Sequence, residues 1–150
     1  SEASENFKAY SLTGHRHQPE IEENLSNNSL LGKAKVLFVP HLLPIARGIH
    51  ATIYVDCIKD FDPSVIFNKF FDKEPFVDVM KENSCPETKS VRGSNVCRIS
   101  FYKVPDTKKL IVLSVIDNLV KGAAGQAVQN MNIMMGWKEL LGLEYTPLAP

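Results

Sequence analysis

The sequence predicts an α+β domain with a mixed, mostly antiparallel sheet and helices on one of its faces. Two observations carry that reading. Short β-type runs at residues 50–60, 76–80, 95–104 and 108–116 are bounded by Pro, Gly, Asp and Asn, the residues of tight turns. Helical spacing stands between some of these runs and again after the last, so strands and helices close one core together. At 150 residues the chain has the length of one domain.

Taken in order, ENFKAYSL (5–12) predicts a short extended segment that ends at Gly14. GHRHQPEIEENLSNNSL (14–30) predicts a helix with Pro19 at its first position and Glu20, Glu22 and Glu23 in its electropositive first turns. Ser26-Asn27-Asn28 breaks it. KAKVLFVPHLLPIARG (33–48) predicts an apolar strand entering a loop punctuated by Pro40, Pro44 and Gly48. In HATIYVDCIKD (50–60), Ala51, Ile53, Val55 and Cys57 alternate with Thr52, Tyr54 and Asp56, the pattern of a half-buried strand. DPSVIFNKFFDKEP (62–75) reads as a compact helix. Asp62 caps it, Pro63 starts it, and Pro75 stops it; Val65, Ile66 and Phe70, with Phe67 as a further candidate, form its inner face.

FVDVM (76–80) is a short strand, and NSCPETKSVRGSN (83–95) a polar loop that exposes Cys85. Two more strands follow, turned at Val104-Pro105-Asp106-Thr107. The second runs without a break into a helix over 117–136, where Asp117 and Asn118 can each cap by accepting from free N–H groups. Val120, Ala124, Ala127 or Val128, Met131 and Met134 recur at helical spacing, and Gly136 stands where a left-handed C-cap would end the helix. Gly122 and Gly125 early in this helix cost roughly 1 kcal/mol each relative to alanine. Either a neighbouring element or a flat ligand must therefore come close to that backbone. The tail, 136–150, predicts proline-rich coil.

Composition excludes several classes of function. Lys and Arg balance Asp and Glu at 17 each, which argues against a general electrostatic nucleic-acid binder. No apolar run approaches the ~20 residues of a membrane span, and the polar N-terminus holds no signal-peptide core, so no membrane partner is expected. Cys57, Cys85 and Cys97 are odd in number and lack C-x-x-C spacing, which predicts neither a disulfide framework nor a zinc site and points to a reducing cytoplasm. Cys57, on an apolar strand face, reads as a small core residue rather than a nucleophile.

The polar residues leave half a site. His15 and His17 precede a helix and could be loop histidines or an acid/base group, since imidazole titrates near neutrality; no further ligands at metal-site spacing accompany them. His41 and Arg47 interrupt an apolar stretch, and Arg47 reads either as a solvated loop charge or as a fork for a carboxylate or phosphate. GAAG lacks the spacing of a dinucleotide-binding loop.

Three blocks in one order, GHRHQPEIE (14–22), FVPHLLPIARGI (38–49) and DNLVKGAAGQAVQNMN (117–132), resemble the N-acetyl-gamma-glutamyl-phosphate reductase family, and ENFKAY fits ahead of them. The resemblance covers nearly the whole chain and implies a glyceraldehyde-3-phosphate dehydrogenase-like C-terminal domain. It implies an NADP-dependent enzyme of arginine biosynthesis acting on N-acetyl-glutamyl phosphate, and a homodimer or homotetramer formed through the sheet. The family's nucleophilic cysteine and Rossmann unit have no counterpart here. The chain is therefore expected to be inactive alone, with its last helix, 117–136, made to pack on a nucleotide domain. By the same resemblance His17 is the acid/base residue, Arg47, His41 and Arg16 contact substrate, and Asn118 and Gly122 meet the cofactor. An aspartate-semialdehyde dehydrogenase relative fits less well, because its histidine block differs. A non-catalytic dimerisation module of the same fold is the reading from another class.

Overall fold

Backbone hydrogen-bonding groups that cannot stay unpaired set the order of elements, and the chain groups them into two compact units, residues 1–46 and 47–150. The computed structural model describes residues 5–29 and 31–147. In the first unit, β1 (Lys8–Ala9) pairs antiparallel with β2 (His41–Leu42), and α1 (His17–Asn27) lies between them in sequence. The segment 33–40 forms no strand, contrary to expectation. Its backbone donors go to side chains of α1 instead: Val36 N–H to Glu22 Oε1 at 3.0 Å and Ala34 N–H to Ser26 Oγ at 2.9 Å. The Val36 bond, followed by one from Gln18, holds the Glu22 carboxyl below its ordinary pKa. Helix α1 also begins two residues before Pro19; a proline is tolerated throughout a first turn, where N–H groups have no intrahelical partner.

The second unit holds β3 (Ile49–Asp56), α2 (Pro63–Phe71), β4 (Val77–Val79), a 3₁₀ turn (Thr88–Val91), β5 (Cys97–Lys103) and β6 (Lys109–Ile116). A π-helical turn (Val120–Ala124) then leads into α3 (Gly125–Met134). The sheet runs β3-β6-β5-β4, antiparallel except for the parallel β4–β5 pair, so it is mixed as expected. Alternation along β5 and β6 puts Ile99, Phe101, Leu110 and Val112 on one face, where they form the core. Ser100 and Val115 point to the other face, where Ser100 Oγ donates to the Ser84 carbonyl at 2.7 Å.

Helix α2 is capped as expected, with Asp62 Oδ1 accepting from Ser64 N–H at 2.8 Å and Val65 N–H at 3.4 Å. Its inner face is not the expected one. Val65, Ile66 and Phe70 are exposed, Phe70 by 75%. Pro63, Phe67 and Phe71, four residues apart, share the buried side, and the Phe67 ring stacks on Phe101 at 5.0 Å. Strand β3 is likewise more open than its alternation suggests, because it is the edge of the sheet with only β6 beside it; Ile53, Tyr54 and Val55 are all exposed. The tail is not simple coil. Asn132 Nδ2 donates to the carbonyls of Glu139 and Leu141, and Leu143 is buried; residues 148–150 lie outside the described chain.

Phe67→Ala should destabilise the domain by about 3–5 kcal/mol, as for other phenylalanines removed from a core. Phe70→Ala should cost less than about 0.5 kcal/mol as a surface change. Chemical denaturation of the two variants checks the assignment; a larger loss from Phe70 would restore the face expected from spacing alone.

Candidate functional site

Where β6 ends, the chain needs an acceptor for the first N–H groups of the next helix, and Asp117 supplies it. Its Oδ1 accepts from Leu119 N–H at 2.8 Å and Val120 N–H at 3.2 Å. Its Oδ2 accepts from Gly93 N–H at 2.7 Å and from Arg47 Nη2 at 2.7 Å. The carboxylate is completely buried. Burial pushes its pKa up, but the bonds from Gly93, Leu119, Arg47 and Val120 together outweigh that and hold it below the ordinary carboxylate value. Beside it, Asn118 Oδ1 accepts from Gly48 N–H at 2.7 Å. Gly48 is left-handed at φ 120°, and a Cβ there would fall 2.7 Å from Thr88 Cβ. Adjacent residues 117 and 118 thus grip adjacent residues 47 and 48.

Past the cap, the helix widens. Gly122 N–H bonds to the Asp117 carbonyl and Ala124 N–H to that of Leu119, each five residues back, before α3 settles into the usual register. The close approach required by the glycines is made at Gly125, where a Cβ would sit 2.4 Å from Asn95 Oδ1 and 2.6 Å from Val120 Cγ1. At Gly122 the nearest atom to such a Cβ is Ile116 Cδ1 at 3.4 Å, so that position has room. The buried side of α3 is polar: Gln129 and Asn132 are inside, whereas Met131, Ile133 and Met134 are exposed. Gln129 Oε1 accepts from Asn95 Nδ2 at 2.8 Å and Lys121 Nζ at 2.7 Å, and Gln129 Nε2 donates to Glu139. Burial is the main cause that holds the Lys121 pKa below its usual value. Counting apolar residues along the helix could not reveal this cluster, because its members are polar. Gly136 ends the helix at φ 68°, with its N–H on Ile133 O and that of Trp137 on Asn132 O.

The residues singled out from the sequence fall in both units. In residues 1–46, His17 is the first residue of α1 and is exposed, Arg16 is the exposed N-cap, and exposed His41 stacks on Phe7 at 4.9 Å. His15 is half-buried against Tyr10, Phe38 and His17. In residues 47–150 lie Arg47, Asn118 and Gly122. Arg47 is not a solvated loop charge: one guanidinium nitrogen is committed to Asp117, and Nε is buried with no partner among the described residues. Cys57 and Cys97 are half-buried and packed at the core, and Cys85 is exposed. Among the described residues no group of three His, Cys, Asp or Glu could hold a metal ion, and no helix is long and apolar enough to cross a membrane.

A family model described as semialdehyde dehydrogenase, dimerisation domain, matches residues 1–118. The chain belongs to that family. It is 53% identical over 151 residues to the N-acetyl-gamma-glutamyl-phosphate reductase of Nitrosomonas eutropha, and 54% identical over 151 residues to that of Laribacter hongkongensis. Each match takes in 100% of this chain and 44% of the relative, so the chain spans less than half the length of these proteins. Among solved structures, aspartate semialdehyde dehydrogenase II from Vibrio cholerae matches with a TM-score of 0.70 at 13% identity, over 91% of this chain and 43% of that one. The enzyme from Francisella tularensis matches with a TM-score of 0.66 at 16% identity, over 87% and 40%. At such identities the likeness is one of fold, and that fold is the α+β domain expected.

Asp117→Ala should cost about 3–5 kcal/mol, because it strands the Arg47 charge and three backbone donors. With its folded pKa depressed, Asp117 contributes stability in full above the unfolded carboxylate value of about 3.9, and that contribution is lost as pH falls through the folded value. Urea titrations at neutral and strongly acid pH should therefore show the gap between wild type and variant closing in acid. Gly125→Ala should destabilise by about 1–3 kcal/mol through overpacking, while Gly122→Ala should be neutral or stabilising by up to about 1 kcal/mol. Thermal melts of the pair decide which glycine the packing demands.

Proposed function

We propose that the chain is the acid/base and dimerisation half of a cytoplasmic, NADP-dependent reductase. Its reaction is the conversion of N-acetyl-glutamyl phosphate to N-acetylglutamate semialdehyde and phosphate. The observation that carries this is identity above 50% along the whole chain with proteins named N-acetyl-gamma-glutamyl-phosphate reductase. The aspartate semialdehyde dehydrogenases match at 13–16% and give the alternative substrate less support.

His17 at the exposed start of α1 holds and moves the proton: it assists a cysteine thiolate of the nucleotide-binding half and polarises the acyl carbonyl. Cys57, Cys85 and Cys97 take no part. Arg47, Arg16 and His41 serve the anionic ends of the substrate. Asn118 keeps its Nδ2 donors once its Oδ1 is on Gly48, and Gly122 is exposed and carries no side chain of its own. That pair suits the carboxamide edge of a nicotinamide. NADPH, bound mainly by the other half, supplies the hydride.

The exposed Met131, Ile133 and Met134 of α3 support docking of that helix on the nucleotide-binding half. The exposed Ile53, Tyr54 and Val55 of edge strand β3, with Tyr102, support a homodimer or homotetramer through the sheet.

Mixing this chain with a separately expressed nucleotide-binding half should give phosphate-dependent NADP reduction with N-acetylglutamate semialdehyde. Neither half should act alone, and His17→Asn should reduce the rate by at least about 100-fold, the scale of lost acid/base catalysis. Turnover indifferent to His17, or a stable mixed complex without turnover, would favour the non-catalytic module.

A further inference from the structure

We infer that His15 is the positioning residue for His17, holding it through a backbone hydrogen bond and a ring contact that require a neutral imidazole. The inference rests on the acid/base role proposed for His17. The N–H groups of a first helical turn have no intrahelical acceptor and need one from outside. The N-cap of α1 is Arg16, in helical conformation and with no side-chain capping bond. The His17 N–H instead donates to His15 Nδ1 at 3.1 Å. A ring nitrogen accepts only when it carries no proton, so this bond places the His15 proton on Nε2 and leaves the ring uncharged.

The capping ring is itself held on three sides. Tyr10 meets it at a centroid distance of 5.6 Å and Phe38 at 5.3 Å, both near edge-on, and these come from segments on either side of the helix in sequence. The third side is the His17 ring, edge-on at 4.6 Å. His17 is exposed; the backbone bond fixes its main chain at the helix start, and this ring contact restrains where its imidazole points. Among the described residues the titratable rings in contact with His15 are those of Tyr10 and His17, while Arg16 and Glu20 stand on the helix start itself. Protonating His15 at Nδ1 would remove the acceptor and set a cation against the positive end of α1. The two histidines thus divide the work: His15 caps through its Nδ1, and His17 exchanges the proton.

Two substitutions separate the acceptor from the ring. His15→Phe keeps an aromatic ring beside Tyr10 and Phe38 but cannot accept. His15→Asn gives up the ring but can accept from the N–H two residues on, as asparagine does in turns. Nitrogen NMR of the 150-residue chain at neutral pH should find His15 Nδ1 unprotonated. Exchange of the His17 amide should be slow in wild type and His15→Asn, and fast in His15→Phe. In the two-half assay, His15→Phe should lower kcat by roughly 10- to 100-fold at little-changed KM, the size of effect a misplaced catalytic group produces. His15→Asn should recover most of that loss. A protonated Nδ1, or slow His17 exchange in His15→Phe, overturns the inference. So does an unchanged kcat in His15→Phe where His17→Asn abolishes activity. Full activity of His17→Asn would instead overturn the acid/base reading and leave the cap to be judged by NMR alone.

Discussion

The structure of the second unit depends on one buried carboxylate. Asp117 stands where the central strand β6 stops and must satisfy backbone donors from its own helix start and from the loop at Gly93, together with the guanidinium of Arg47 just before β3. In a site closed to water each of those donors would be costly if left without an acceptor. A carboxylate has four lone-pair directions and no proton to offer, so it is the one short side chain that can serve all four donors. The neighbouring Asn118 adds Gly48, so two consecutive side chains fasten the strand, the loop and the helix at one corner of the sheet.

That corner also explains the slimness of the last helix. The π-helical turn follows directly from the cap, and it lets Gly125 rather than Gly122 meet Asn95. Packing accounts for one glycine and leaves the other exposed, which is why Gly122 remains a candidate for meeting something outside the chain. The helix then turns a polar face inward, around Gln129 and Asn132, and leaves its methionines in water. Such an inversion makes sense if the apolar face belongs to an interface rather than to this domain's core.

Strand positions were legible because alternation and turn residues are local signals, and β5, β6 and the cap at Asp62 follow from them directly. The inner face of α2 was not, since Val65, Ile66, Phe67, Phe70 and Phe71 are all apolar and only the position of Phe101 decides which of them turn inward. The segment 33–40 looks like a strand by composition, but α1 side chains take the N–H groups of Ala34 and Val36, and among the described residues it forms no strand. Asp117 could be read as a cap and no more: its partners at Gly93 and Arg47 lie far away in sequence, and nothing in a linear pattern joins them. The HRH block stood out by resemblance, and the bond from His17 N–H to His15 Nδ1 could not be read from a linear pattern.

The most direct test of the central claim is native-state hydrogen exchange at the amides of Gly93, Leu119 and Val120, followed from neutral to acid pH. If one carboxylate ties these segments together, the three should open with a common free energy and lose protection together as Asp117 is protonated. Rapid exchange at Gly93 alongside full protection at Leu119 and Val120 would contradict that. The carboxylate would then be a local helix cap, and the corner of the sheet would owe its order to something else.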